Sequence, residues 1–202
     1  MSGNLTLEGK NAKIAIRMMK KVARFLDTIR VPYILEAGTL LGVIREDRLL
    51  PWDNDVDLTI SREYEEKLLK NLWRLRLKFL KVRVRYYKKD IKYFKKGELR
   101  IIKIKNLNLR RGWRYDVVMD IFIKTRIEDQ HVWTEGLNPP VLKSVPAEFL
   151  DNRISYKFKG KEFSVPKDNI RYLECRYGKN WRIPVKKWDY KTNDHSLVET
   201  LK

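Results

Sequence analysis

The sequence predicts an α+β fold: a small mixed β-sheet flanked by helices, closing with a C-terminal hairpin and helix. Three observations carry that expectation. Between Leu7 and Ile29, the residues Val22, Phe25, Leu26 and Ile29 fall at i, i+3, i+4 and i+7, the apolar face of a helix. From Asp53 to Ile60 the chain alternates strictly, with Asp55, Asp57 and Thr59 on one strand face and Val56, Leu58 and Ile60 on the other. A chain of 202 residues with 43% hydrophobic side chains can bury one sizeable core.

The elements follow in order. Pro32 ends the first helix. Tyr33 to Glu36 reads as a short strand, Gly38 as a sharp turn, and Thr39 to Ile44 as a short helix with Gly42 permitting close packing. After the Asp53–Ile60 strand, Ser61 is placed to cap a helix running to about Leu77, with Glu63, Glu65 and Glu66 near its positive end. Strand-like segments come next: Phe79 to Tyr87, Ile91 to Phe94 and Leu99 to Ile104, separated by basic turns. Tyr115 to Ile123 is the strongest later strand, and regular geometry puts Asp116, Val118, Asp120 and Phe122 on one side. Ile154 to Val165, broken at Gly160, reads as a hairpin; Pro166 and Asp168 open a last helix that Gly178 closes. No repeat or low-complexity linker divides the chain, so one domain is expected over residues 1–185 and a polar tail over 186–202.

Composition excludes several classes. A single cysteine, Cys175, rules out an internal disulfide and cysteine-rich zinc sites. Met1 to Lys10 is polar and no run of about 18 apolar residues occurs, so the expected place is the cytoplasm, at most peripheral to nucleic acid or an anionic membrane surface. The net charge is +19, and residues 62–114 hold 20 Lys and Arg against 5 Asp and Glu. Such a field attracts polyanions. With 35% charged residues and one glutamine, Gln130, the chain also fits a heat-loving source, which accounts for many charges but not for their sign. Tyr86, Tyr87, Tyr93, Phe94 and Trp113 interleave with Lys and Arg. They form either a base-stacking surface for single strands or the apolar side of an amphipathic sheet. His131, His195 and Cys175 are read as surface or structural residues.

The chemistry concentrates in carboxylates. Asp55 and Asp57 share one strand face, about 7 Å apart at their α-carbons. Two such groups aimed at one point repel unless a cation or proton intervenes, and a hard dication held by oxygens is the natural remedy. Asp120 sits among apolar neighbours and needs a partner; joining that pair would supply one. Gly38 and Thr39 precede Asp55 by about 16 residues, and a glycine turn with a hydroxyl at a helix start can offer N–H groups to phosphate.

Glu36-Ala37-Gly38-Thr39-Leu40-Leu41-Gly42-Val43-Ile44-Arg45, followed by Leu50-Pro51-Trp52-Asp53-Asn54-Asp55-Val56-Asp57-Leu58, resembles the signature of the LicD/fukutin family. Val118-Met119-Asp120-Ile121-Phe122 and the pair Tyr172-Leu173, Tyr177-Gly178 are weaker echoes of the same family. The resemblance implies a nucleotidyltransferase fold of the DNA polymerase β-like type. It also implies Mg²⁺ or Mn²⁺ held by Asp55, Asp57 and Asp120, a phosphate turn at Gly38 and Thr39, and Arg45 touching an anionic group or bracing the loop. Asp53 would cap the turn or stand behind the metal ligands, and Asn54, where many relatives carry Asp, would alternate away from the metal. The implied activity is transfer of a phosphoalcohol from a CDP-alcohol to a glycan or glycolipid hydroxyl. The basic stretch keeps two other readings open: a nucleotidyltransferase using an NTP on RNA such as tRNA, and a non-catalytic nucleic-acid-binding protein.

Overall fold

The computed structural model describes residues 6–106, 117–136 and 139–201. Trp113, Tyr115 and Asp116 lie outside the described residues. Helix α1 (Gly9–Thr28) turns Ile14, Ala15, Met18, Met19, Val22, Ala23, Phe25 and Leu26 inward, a continuous 3.6-period stripe. Strand β1 (Ile34–Leu35) leads into α2 (Ala37–Glu46), and β2 (Asp55–Ser61) follows. The helix expected from Ser61 to Leu77 is broken into a 3₁₀ turn (Arg62–Tyr64), α3 (Glu65–Asn71) and α4 (Trp73–Arg76). Ser61 makes no capping bond with its side chain, so the acidic first turn stands without the predicted cap.

Strands β3 (Leu80–Tyr86), β4 (Leu99–Asn106) and β5 (Val118–Ile127) form the sheet with β2. β5 organises it. Its first half runs parallel to β2 and antiparallel to β4, and its last three residues, Thr125 to Ile127, pair with β6 (Gln130–Glu135). The sheet then continues through β7 (Val141–Pro146), past the short helix α5 (Glu148–Asp151). A separate hairpin, β8 (Arg153–Phe158) with β9 (Lys161–Pro166), turns at Gly160, and α6 (Asn169–Tyr177) follows. The Asp168 side chain accepts from the N–H of Arg171, and Gly178 ends the helix at φ +77°, as the sequence suggested.

Two expectations are corrected. Ile91 to Phe94 is no strand; it closes on itself through a single bridge. The polar tail is also part of the sheet, because β10 (Leu197–Thr200) pairs antiparallel with β7. Among the described residues no helix is long and apolar enough to cross a membrane.

The alternation in β2 sets the layers. Val56, Leu58, Ile60, Met119, Ile121, Ile123, Ile102 and Ile104 are all buried on the α1 side. Each contributes roughly 1.5–3 kcal/mol by burial. The opposite face is left for chemistry. Gly42 lets α2 approach the loop before β2: an added Cβ would lie 2.5 Å from the carbonyl oxygen of Arg48 and 3.0 Å from the nitrogen of Leu50. Both are backbone atoms, which cannot swing aside. Gly42→Ala is therefore expected to destabilise by about 1–3 kcal/mol, read as a lower thermal midpoint; an unchanged midpoint would show that the loop yields freely.

Candidate active site

Asp57 and Asp120 are direct partners across the parallel β2–β5 pair, and Lys103 is the partner of Asp120 on β4. A row of three strands thus carries acid, acid, base. Asp55 precedes Asp57 by two residues on the same face, and one oxygen from each of Asp55, Asp57 and Asp120 lies within 4.8 Å of the others. The third aspartate therefore joins the first two, as the spacing anticipated. Asn54 lies outside this trio.

The electrostatics are uncompensated. Burial and the neighbouring carboxylates push Asp55 up to about 7 from an ordinary 3.8. Burial, then Asp55, Asp53 and Asp120, hold Asp57 well above its usual range. Asp120 is also raised by burial, although Lys103, which donates to its Oδ2, pulls the other way. The buried Oδ1 of Asp120 has no hydrogen-bond partner. Three hard oxygen donors with one orphaned acceptor suit a dication such as Mg²⁺ or Mn²⁺.

A pH dependence follows. A carboxyl whose folded pKa is raised stabilises the fold below its unfolded value and loses that contribution as pH rises through the folded one. Without divalent cation, the thermal midpoint is expected to fall between about pH 5 and 7 relative to an Asp55→Asn variant, and millimolar Mg²⁺ should restore it. The comparison with Asp55→Asn is needed because His131, lowered by burial, titrates in the opposite sense. Parallel pH profiles for the two proteins would contradict the assignment.

The triad opens into a cleft of about 1270 Å³. One wall is basic and comes from the end of β3 and the turn after it: Arg85, Tyr86, Lys88 and Lys89. The adjoining part is formed by Glu135, Gly136 and, from the tail, Tyr190, with Arg100 bonded to Thr134 and Gly136. Part of the positive stretch thus faces the acidic floor. The aromatic residues divide. Tyr86 and Tyr93 are exposed, whereas Tyr87 and Phe94 are buried and stack on each other at 4.5 Å, packing rather than presenting a platform for bases.

Gly38, Thr39 and Arg45 are not among the residues lining the cleft. Gly38 and Thr39 lie in the first turn of α2. The Thr39 hydroxyl accepts from the N–H of Asp57 at 2.9 Å, and the N–H of Glu36 donates to the Asp57 carbonyl at 3.0 Å, so the helix start is stitched to the strand carrying the site. A Cβ on Gly38 would come 2.2 Å from Asp53 Oδ2; glycine leaves that carboxylate its place. Asp53 in turn accepts from the N–H of Asn54 at 2.9 Å, capping the turn before β2. Arg45 braces the loop: it donates to the Trp181 carbonyl at 3.0 Å and pairs with Glu46. His131 is buried near Asp151, His195 packs on Gly178, and Cys175 packs at the core edge.

Sequence reading missed a buried ionic network behind the triad. Glu36, the N-cap of α2, pairs with Lys124 at 2.6 Å and with Arg176, and Tyr172 donates to it. Arg176 reaches on to Asp194 at 2.7 Å, Asp194 to Lys143 at 2.7 Å, and Lys143 to Glu135 at 2.6 Å. Glu36 is held down to about 2 by Lys124 and Arg176 against the upward push of burial. A signal existed: Lys124 and Lys143 each interrupt an apolar run, and a buried lysine requires an anionic partner.

The LicD/FKTN/FKRP nucleotidyltransferase domain model matches residues 30–168. Ribitol-5-phosphate transferase FKTN of Macaca fascicularis is 30% identical over 185 residues, 89% of this chain and 35% of that protein. The Homo sapiens FKTN is 29% identical over the same shares. Ribitol 5-phosphate transferase FKRP of Mus musculus is 42% identical over 52 residues, 24% of this chain and 10% of that protein. The chain thus spans about a third of the length of the FKTN relatives it matches. Among solved structures, ANT(2")-Ia in complex with adenylyl-2"-tobramycin has a TM-score of 0.36 at 16% identity, covering 57% of this chain and 53% of that one, a likeness too slight to bear on function. Because the family's domain match covers well over half the chain, from β1 through the β8–β9 hairpin, this protein belongs to the LicD/FKTN/FKRP nucleotidyltransferase-domain family.

Proposed function

We propose that the chain is the catalytic domain of a divalent-metal-dependent transferase that moves a phosphoalcohol from a CDP-alcohol donor to a hydroxyl of a glycan. The observation that carries the reading is the row of Asp55, Asp57 and Asp120 at the floor of a cleft, with Asp120 Oδ1 unpartnered. The names of the FKTN and FKRP relatives, ribitol-5-phosphate transferases, support the phosphoalcohol.

Asp55, Asp57 and Asp120 would hold Mg²⁺ or Mn²⁺, which when bound would neutralise the donor's diphosphate and lower the pKa of the acceptor hydroxyl. Arg85, Lys88 and Lys89 would draw the diphosphate against the basic wall. The acceptor oxygen forms a bond to the phosphorus bearing the alcohol, the bond from that phosphorus to the bridging oxygen breaks, and CMP leaves in line. Asp120 would also take the hydroxyl proton. Positioning and charge, rather than covalent chemistry by the protein, provide the acceleration.

The basic wall with exposed Tyr86 also favours a second reading, an NTP-dependent nucleotidyltransferase acting on RNA. Labelled CDP-alcohols and NTPs, incubated with protein and Mg²⁺ or Mn²⁺ with and without total RNA, separate the two. Labelled glycan from the CDP-alcohol is the expected product. Labelled RNA would favour the second reading. No transfer, with salt-sensitive RNA binding that survives loss of Asp55 and Asp57, would identify a non-catalytic nucleic-acid-binding protein.

A further inference from the structure

The lining of the cleft is chemically mixed. Beside the basic end of β3 stands a corner built from Glu135, at the end of β6, and Tyr190, in the tail, with Arg100 bonded to Thr134 and Gly136 between the two. Both are half-buried. The Glu135 carboxylate is anchored at one oxygen: Oε2 accepts from Lys143 Nζ at 2.6 Å. Lys143 is fully buried and is itself fixed by Asp194 at 2.7 Å. Tyr190 is seated by the same residues. Its ring lies 5.3 Å from Lys143 Nζ, and Gly136 makes room for it, since a Cβ there would come 2.6 Å from the Tyr190 hydroxyl. The tail carrying Tyr190 is tied down by Asp194, by β10, and by Leu201, which donates to the Pro140 carbonyl.

This corner is preorganised by the ionic chain that compensates the buried Lys143, and it leaves the second oxygen of Glu135 without a bond to that lysine. Glu135 brings a negative charge to this part of the cleft. A diphosphate lying along Glu135 would be repelled. A sugar would not: a carboxylate accepts strongly from hydroxyls, and an aromatic ring offers an apolar face to the C–H face of a pyranose.

Resting on the transferase reading above, we propose that Glu135 and Tyr190 form the acceptor subsite. Glu135 accepts a hydrogen bond from a sugar hydroxyl, and the Tyr190 ring packs against the sugar. The matched domain ends at residue 168, so Tyr190 is supplied by a segment beyond it.

The test uses the full chain with Mg²⁺. Binding of methyl glycosides of glucose, galactose, mannose and their N-acetylamino counterparts is followed by saturation-transfer NMR, and binding of CDP by calorimetry. At least one glycoside should bind. Glu135→Gln and Tyr190→Ala should weaken it about tenfold, the size expected for a hydrogen bond to a charged group, with CDP affinity unchanged. Tyr190→Phe, which keeps the ring, should retain binding. Glycoside binding that is absent in the wild type, or equal in all variants, overturns the subsite, as does a loss falling on CDP instead. Failure of the transferase reading looks different: CDP and Mg²⁺ would then not bind the wild type.

Discussion

Asp57→Ala is expected to lower transfer by about 10³-fold or more while leaving the protein at least as stable as the wild type. Both halves follow from the same geometry. Asp57 stands two residues from Asp55 and directly opposite Asp120, so its truncation removes one of the three clustered ligands. Its carboxyl is buried and pressed by three other aspartates, with Lys103 bonded to Asp120 rather than to it. Removing it relieves repulsion in the metal-free fold, and the thermal midpoint near pH 8 should hold or rise. The backbone of Asp57, through which Thr39 and Glu36 fasten α2 to β2, is untouched by the substitution. A loss of activity accompanied by retained or increased stability is the signature of a functional group held at a cost to the fold. Turnover near wild type, or a midpoint that collapses with the activity, would remove Asp57 from the reaction.

That site was legible because its elements are local and periodic. The alternation of β2 is uninterrupted, so the faces of Asp55 and Asp57 could be assigned from period alone. Asp120 announced itself as a carboxylate among apolar residues, and the structure pairs it with Asp57. The far half of the sheet was not legible. In β6 the buried side chains include His131 and Thr134, and in β7 the buried Lys143, so inward positions read as polar and the period is disguised. The tail failed for the same reason. Asp194 is buried against Arg176 and Lys143, contacts between residues distant in sequence that no local pattern encodes. Gly38 and Thr39 show a subtler limit: their spacing from Asp55 marked them, but the Thr39 hydroxyl braces β2 and Gly38 leaves room for Asp53, and only coordinates reveal that direction.

Arg176→Ala should be the most destabilising single truncation in the chain, by about 3–5 kcal/mol, which corresponds to a midpoint lowered on the order of 10 °C. The guanidinium is buried and spans two carboxylates, Glu36 at the start of α2 and Asp194 in the tail, while lying 5.1 Å from the Trp133 ring centroid. Removing it leaves Glu36 with Lys124, Tyr172 and the N–H of Ala37, and Asp194 with Lys143 and Ser196, but takes one donor and a shared positive charge from each buried carboxylate. The penalty is one of uncompensated burial rather than a lost attraction, and that can be tested. Adding Glu36→Gln and Asp194→Asn to Arg176→Ala should recover part of the loss, since neutral amides cost less to bury. Acid provides a second check. Glu36 is held at about 2 and Asp194 is also lowered, so their contribution is present above the ordinary carboxylate range and fades as pH falls toward 2. Without Arg176 both carboxyls take protons more readily, and the gap between variant and wild type should narrow below about pH 4. A gap under 1 kcal/mol at pH 7, or one that does not change with acid, would mean that the network tying α2, α6 and the tail together is ornamental to the fold.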